Sequence, residues 1–121
     1  MTSWVDTSGN LWLFGGRAID ITGTLNHIND LWKYDISLNE WTWMNGSNSV
    51  LSIGYYGSIL VASATNCSPA RSETNASWTD SNNNLWLFGG NSEFGLLNDL
   101  WKYNIASNEW TWMKGPNILN Q

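Results

Sequence analysis

Leu11-Trp12-Leu13-Phe14-Gly15-Gly16 returns later in the chain as Leu85-Trp86-Leu87-Phe88-Gly89-Gly90, and its reading decides the fold. Four apolar residues, two of them aromatic, run without a charge into a pair of glycines. A short apolar run closed by turn residues predicts a strand buried on both faces. The glycine pair supplies backbone freedom and space for a bulky neighbour to approach.

The flanks repeat with it. Ser3 to Gly16 aligns without gaps on Ser77 to Gly90, and Asn29 to Met44 aligns on Asn98 to Met113. In the first unit Ser3-Trp4-Val5-Asp6 alternates as a strand, Thr7-Ser8-Gly9-Asn10 forms a tight hairpin turn, and Leu11 to Gly16 is the second strand. Asn29 to Tyr34 is the third strand, Asp35 to Asn39 a turn, and Glu40 to Met44 the fourth, with Trp41 and Trp43 on one face. In the second unit Arg71 to Thr79 takes the first-strand position and Asp80 to Asn84 the turn. Leu85 to Gly90, Asn98 to Tyr103 and Glu109 to Met113 take the rest. Only the loop after the glycines changes length, Arg17 to Ile28 in one copy and Asn91 to Leu97 in the other, as expected where duplicated units diverge. The chain therefore divides into a first unit over 1–44, a connector over 45–70, a second unit over 71–113 and the start of a further connector over 114–121.

Composition agrees with an all-β chain. Of 121 residues, 10 are Trp, 4 Tyr and 3 Phe, and only 12% are charged. Asn, Ser, Thr and Gly fill the polar positions, a strand-and-turn vocabulary. The net charge of −5, without a Lys/Arg cluster, argues against nucleic acid as a partner. No apolar run approaches the length of a membrane-spanning helix, and Met1-Thr2-Ser3-Trp4 does not begin a signal peptide. Cys67 is the single cysteine, so no internal disulfide forms and the compartment stays open, an extracellular or cell-surface parent protein included. Sequons at Asn45, Asn66 and Asn75 are expected by chance in so Asn- and Ser-rich a chain.

Four strands per unit, Gly15-Gly16 and Gly89-Gly90 after the second, and Tyr34 and Trp41, like Tyr103 and Trp110, with six residues between them resemble the kelch motif. The variants S-W-x-D, L-W-L-F-G-G, N-D-L-W-K-Y and N-E-W-T-W-M look like the Trp-rich kelch repeats of long multi-repeat proteins. They are similar to the propeller of galactose-oxidase-like central domains. The resemblance implies two four-stranded antiparallel blades of a β-propeller, the first strand of each innermost. Two features depart from it: the first unit starts at Met1 without the Arg-containing beginning of its inner strand, and Ser72-Glu73-Thr74-Asn75 replaces the small apolar residues usual there, which implies a bulge or a wet channel. Propellers close with roughly four to eight blades. Two are incomplete unless they belong to a longer chain or to a homo-oligomeric ring, three copies giving six blades.

Catalysis has no candidate constellation. One histidine and no thiol partner do not make a transition-metal site, and the several His and Tyr ligands of a propeller copper oxidase are missing. No Ser/His/Asp order, phosphate loop or Rossmann pattern occurs. Asp6-x-Ser8-x-Asn10 and Asp80-x-Asn82-x-Asn84 touch the start of a calcium loop, but Asp and Asn favour hairpin turns on their own account. No cofactor and no metal are expected. The Trp residues are expected in packing rather than on a ligand.

Strand alternation puts the tight turns at one end of the strands, on one face of the propeller disc, and the long connections on the opposite face. Loops on a rigid scaffold carry recognition, so the candidate binding residues are Arg17, His27, Tyr55, Tyr56, Arg71, Glu93 and Phe94. Gly15, Gly16, Tyr34, Trp41, Gly89, Gly90, Tyr103 and Trp110 are structural. The expected function is a non-catalytic scaffold that binds a protein through the long-loop face. A carbohydrate- or small-ligand-binding propeller, and a non-catalytic piece of a larger propeller enzyme, are the alternatives.

Overall fold

Each copy of Leu-Trp-Leu-Phe lies in the second strand of a four-stranded antiparallel sheet. In the computed structural model the described residues are 1–19, 21–46, 53–72 and 75–117. Among them there is no helix, and the chain is all-β. The strands are β1 (Thr2–Val5), β2 (Leu11–Phe14), β3 (Arg17–Ile19), β4 (Leu25–His27), β5 (Leu31–Asp35), β6 (Glu40–Asn45), β7 (Ala76–Thr79), β8 (Asn84–Ser92), β9 (Gly95–Asn104) and β10 (Glu109–Lys114). The first sheet has the order β1-β2-β5-β6, the second β7-β8-β9-β10, and β3 pairs with β4 alone. The register repeats across the copies: Trp4 faces Trp12 as Trp78 faces Trp86, and Tyr34 faces Trp41 as Tyr103 faces Trp110.

The turns explain why the hairpins close where they do. Asp6 Oδ1 accepts from the N–H groups of Ser8 and Asn10, both at 2.9 Å, and Oδ2 accepts from Trp12 Nε1 at 2.9 Å. Asp80 repeats this set with Asn82, Asn84 and Trp86. One carboxylate thus ties a turn to the indole of the strand that leaves it. Both carboxyls titrate below the usual range. At Asp80 the Trp86 indole and then the Asn84 N–H hold the value down at about 2. At Asp6 burial works the other way, and the hydrogen bonds from Trp12, Asn10 and Ser8 outweigh it.

Two expectations about the long loops give way. Arg17 to Ile28 reads as a polar loop but contains the β3–β4 hairpin, in which Arg17 faces His27 and Ile19 faces Leu25. Asn91 to Leu97 is not a loop either. After a bulge at Gly89, β8 and β9 continue as a hairpin, with Gly90 opposite Leu97 and Ser92 opposite Gly95. Polar stretches can still satisfy their backbone by pairing with themselves, which composition alone does not show.

The sheets stack face to face. Trp4, Trp12, Phe14 and Leu31 of the first meet Leu85, Leu87, Trp101, Tyr103 and Trp110 of the second in one buried cluster. Trp12 lies 5.5 Å from Tyr103 and Phe14 lies 5.5 Å from Trp110, centroid to centroid. β1 and β7 run side by side, joined by hydrogen bonds from Thr79 Oγ1 to the Val5 carbonyl (3.1 Å) and from Trp4 Nε1 to the Trp86 carbonyl (3.0 Å).

Burial of the Leu-Trp-Leu-Phe strands on both faces is therefore corrected. Only Trp12 and Phe14 of the first copy, and only Leu85 and Leu87 of the second, are buried. Two sheets make one interface, so each keeps an open face. Trp41, Trp43 and Trp78, expected in packing, lie on those open faces and are about half exposed.

The described part of the connector packs against the second sheet. Tyr55 and Cys67 exchange backbone hydrogen bonds, the Leu60 N–H donates to the Trp112 carbonyl at 2.8 Å, and buried Asn66 donates to the Trp110 carbonyl at 2.9 Å. The segment thereby covers the outer edge of β10, which would otherwise expose unpaired backbone. Glu73, expected on a bulged inner strand, lies outside the described residues; β7 begins at Ala76.

Candidate functional site

Residues 68–72 lead from the connector toward β7 and carry Arg71, whose guanidinium is fully buried. It forms a two-pronged ion pair with Asp99, Nη1 to Oδ1 at 2.9 Å and Nη2 to Oδ2 at 3.0 Å. Its other donors reach the Gly89 carbonyl (2.7 Å), Ser68 Oγ (2.7 Å) and the Pro69 carbonyl (3.2 Å). Asp99 also accepts from Tyr56 (2.5 Å) and Trp101 Nε1 (2.9 Å). Burial by itself would raise the Asp99 carboxyl, but the Arg71 charge and these hydrogen bonds hold it below the usual range. Burial, and then the Asp99 charge, push the Tyr56 hydroxyl far above the ordinary tyrosine range, so it stays a donor.

This network locks the end of the sheets from which the long connections leave. The Gly16 N–H donates to the Arg71 carbonyl at 2.8 Å. A Cβ on Gly15, whose φ is +68°, would sit 2.4 Å from the same oxygen.

Above it, His27 joins three segments. Its Nδ1 is 2.6 Å from Glu93 Oε2 and its Nε2 is 2.8 Å from Ser72 Oγ. The β3–β4 hairpin, the approach to β7 and the β8–β9 turn are clamped together by one ring. The order Glu93–His27–Ser72 has the connectivity of an acid–base–nucleophile triad. Ser72, however, is buried and does not line the neighbouring cavity, so the arrangement works as a clamp.

That cavity, of about 110 Å³, has Ile53, Tyr56, Pro69, Ala70 and Leu97 as its apolar wall, with His27, Ser92, Glu93, Phe94 and Asn117 completing the lining. His27, Tyr56, Glu93 and Phe94, which the sequence places on the long-loop face without grouping them, therefore meet at one site. Glu93 keeps a partly exposed carboxylate and Phe94 an exposed ring.

The chain matches no protein-family profile and no curated protein.

Three sequence candidates stand elsewhere. Arg17 is exposed on β3 and does not line the cavity. Tyr55, also exposed, borders a separate depression with Cys67 and Gly46. Arg71, expected at the surface, lies beneath the cavity floor, where its partners consume every donor. Sequence reasoning missed Leu97, Ser92, Ser72 and Asp99. The signal for Asp99 was present: Asn-Asp-Leu-Trp opens the third strand in both copies, and Asp30, like Asp99, accepts from the indole two residues on.

Proposed function

We propose that the chain is a pair of kelch-like propeller blades, serving as a non-catalytic scaffold that binds a protein partner at the cavity between His27, Tyr56, Glu93 and Phe94. Support for the blade reading comes from the two up-and-down four-stranded sheets, stacked face to face with β1 and β7 adjacent. The recurring Tyr34–Trp41 and Tyr103–Trp110 contacts, at 4.9 and 5.2 Å, agree with it.

The observation that carries the binding reading is the cavity's size and lining. At about 110 Å³ it is well below the roughly 300–1,000 Å³ of small-molecule sites. It suits one apolar side chain of a partner, an anchor of the kind that dominates protein interfaces. The exposed edge of Glu93 then selects a cationic group beside that anchor.

Selection of random peptides on the immobilised chain tests this. The expected consensus is one Leu, Ile or Met beside a Lys or Arg, with binding weakened more than tenfold by Glu93→Gln and by Leu97→Asp. A second reading rests on the exposed Phe94 ring at the rim, a surface on which a sugar could stack. Glycan binding lost in Phe94→Ala, with no peptide consensus, would replace the protein reading.

A further inference from the structure

The buried interface between the two sheets is built from residues that the repeat supplies twice, and the spare set lies open on opposite sides of the molecule. In the buried interface Trp4, Trp12 and Phe14 of the first sheet face Tyr103 and Trp110 of the second. Their repeat equivalents are Trp78, Trp86 and Phe88 on the open face of the second sheet, and Tyr34 and Trp41 on the open face of the first.

Identity of residue is matched by local geometry at the tyrosine–tryptophan and lysine–tryptophan contacts. Trp41 contacts Tyr34 as Trp110 contacts Tyr103. Lys33 lies 5.9 Å from the Trp12 ring as Lys102 lies 5.9 Å from the Trp86 ring. What differs is burial: Trp41 is 52% exposed and Trp110 0%, Trp78 is 45% and Trp4 4%, Phe88 is 41% and Phe14 1%.

We propose that copies of this chain dock head to tail, the Tyr34–Trp41 face of one copy receiving the Trp86–Phe88 face of the next. The internal interface supplies the template for the contacts. Trp86 of one copy packs on Tyr34 of the next as Trp12 packs on Tyr103, and Phe88 packs on Trp41 as Phe14 packs on Trp110. The Trp78 indole N–H donates to the Trp12 carbonyl of the next copy as Trp4 donates to the Trp86 carbonyl. Open aromatic faces of this kind mark association surfaces in soluble proteins. The two faces differ, so the contact is heterologous, and it closes when the rotation per copy completes a ring. This inference does not depend on what the His27–Glu93 cavity binds.

Sedimentation of two single-face variants, Trp41→Lys and Trp78→Lys, tests it. Both positions are solvent-exposed in the single chain, and a retained β-type far-ultraviolet spectrum with a cooperative denaturant transition verifies the fold. The unsubstituted chain is expected to form a discrete species above the 13.6 kDa of one copy. Each variant alone is expected to sediment as a monomer, and an equimolar mixture to give a one-to-one dimer and nothing larger. A monomeric unsubstituted chain at every concentration overturns the proposal. So does self-association of either variant alone, which would mean like-to-like pairing, or open-ended aggregation insensitive to both substitutions. Should either lysine variant fail to fold, Phe88→Asp replaces Trp78→Lys and Tyr34→Lys replaces Trp41→Lys, with the same outcomes.

Discussion

Trp41 and Trp110 occupy one position of the repeat, each beside its cross-strand tyrosine, yet Trp41 is half exposed and Trp110 fully buried. Strand register fixes the aromatic pair, and the presence of a second sheet fixes the burial. The two repeats are therefore equal in local structure and unequal in environment, which makes each an internal control for the other.

The buried indoles give the first comparison. Trp12 Nε1 donates to Asp6 at 2.9 Å inside the core, whereas Trp110 Nε1 is buried with no hydrogen-bond partner among the described residues. Both lose similar volume on substitution by Phe. Trp12→Phe should cost about 1–3 kcal/mol more than Trp110→Phe, the excess expected for a lost buried hydrogen bond. Urea unfolding of the two variants measures the difference, and equal midpoints would contradict it.

Arg71 and Asp99 are each fully buried, so removing one partner leaves an uncompensated charge. Arg71→Met should destabilise by about 3–5 kcal/mol. Adding Asp99→Leu to it should cost much less than the sum of the two single changes, because the pair then leaves together. Additive losses in chemical denaturation would mean that the pair is not coupled.

Acid should weaken the fold through the turn carboxylates. In the folded chain the hydrogen bonds from Trp86 and Asn84 hold Asp80 down at about 2, below the ordinary aspartate value of 3.8, and Asp6 and Asp99 are lowered as well. A depressed folded value means that the stabilisation is complete above the unfolded pKa and is lost as pH falls through the folded one. The urea midpoint should hold at neutral pH and fall as pH drops from about 4 toward 2. In Asp80→Asn the fall should be shallower; an unchanged slope would rule out the Asp80 contribution.

Gly15 and Gly9 both have positive φ, +68° and +84°, but only Gly15 has backbone oxygens in the way of a Cβ. Gly9→Ala meets open space and should cost about 1–2 kcal/mol of backbone strain. Gly15→Ala should cost clearly more, since the Arg71 carbonyl would have to move off the Gly16 N–H. Thermal melting of the two variants ranks them.

The duplicated sheets were legible because period-two alternation, turn residues and internal identity all point the same way. The face of each strand that would be buried was not legible. Leu11 and Leu85 are the same residue in the same context, and only the neighbouring sheet separates them. The β3–β4 hairpin escaped because Arg17 to Ile28 pairs with itself, without an apolar pattern to mark it. At the candidate site, loop position singled out His27, Tyr56, Glu93 and Phe94. Their convergence, and the sinking of Arg71 onto Asp99, depend on contacts between residues far apart in the chain.

Hydroxyl-radical footprinting of the Trp78→Lys chain tests most directly the claim that one repeat surface is buried in the second sheet and open in the first. Trp41 should be oxidised readily while Trp110, its repeat equivalent, is spared until the chain unfolds. Equal oxidation of the two tryptophans in the folded chain would contradict the face-to-face packing from which the account is built.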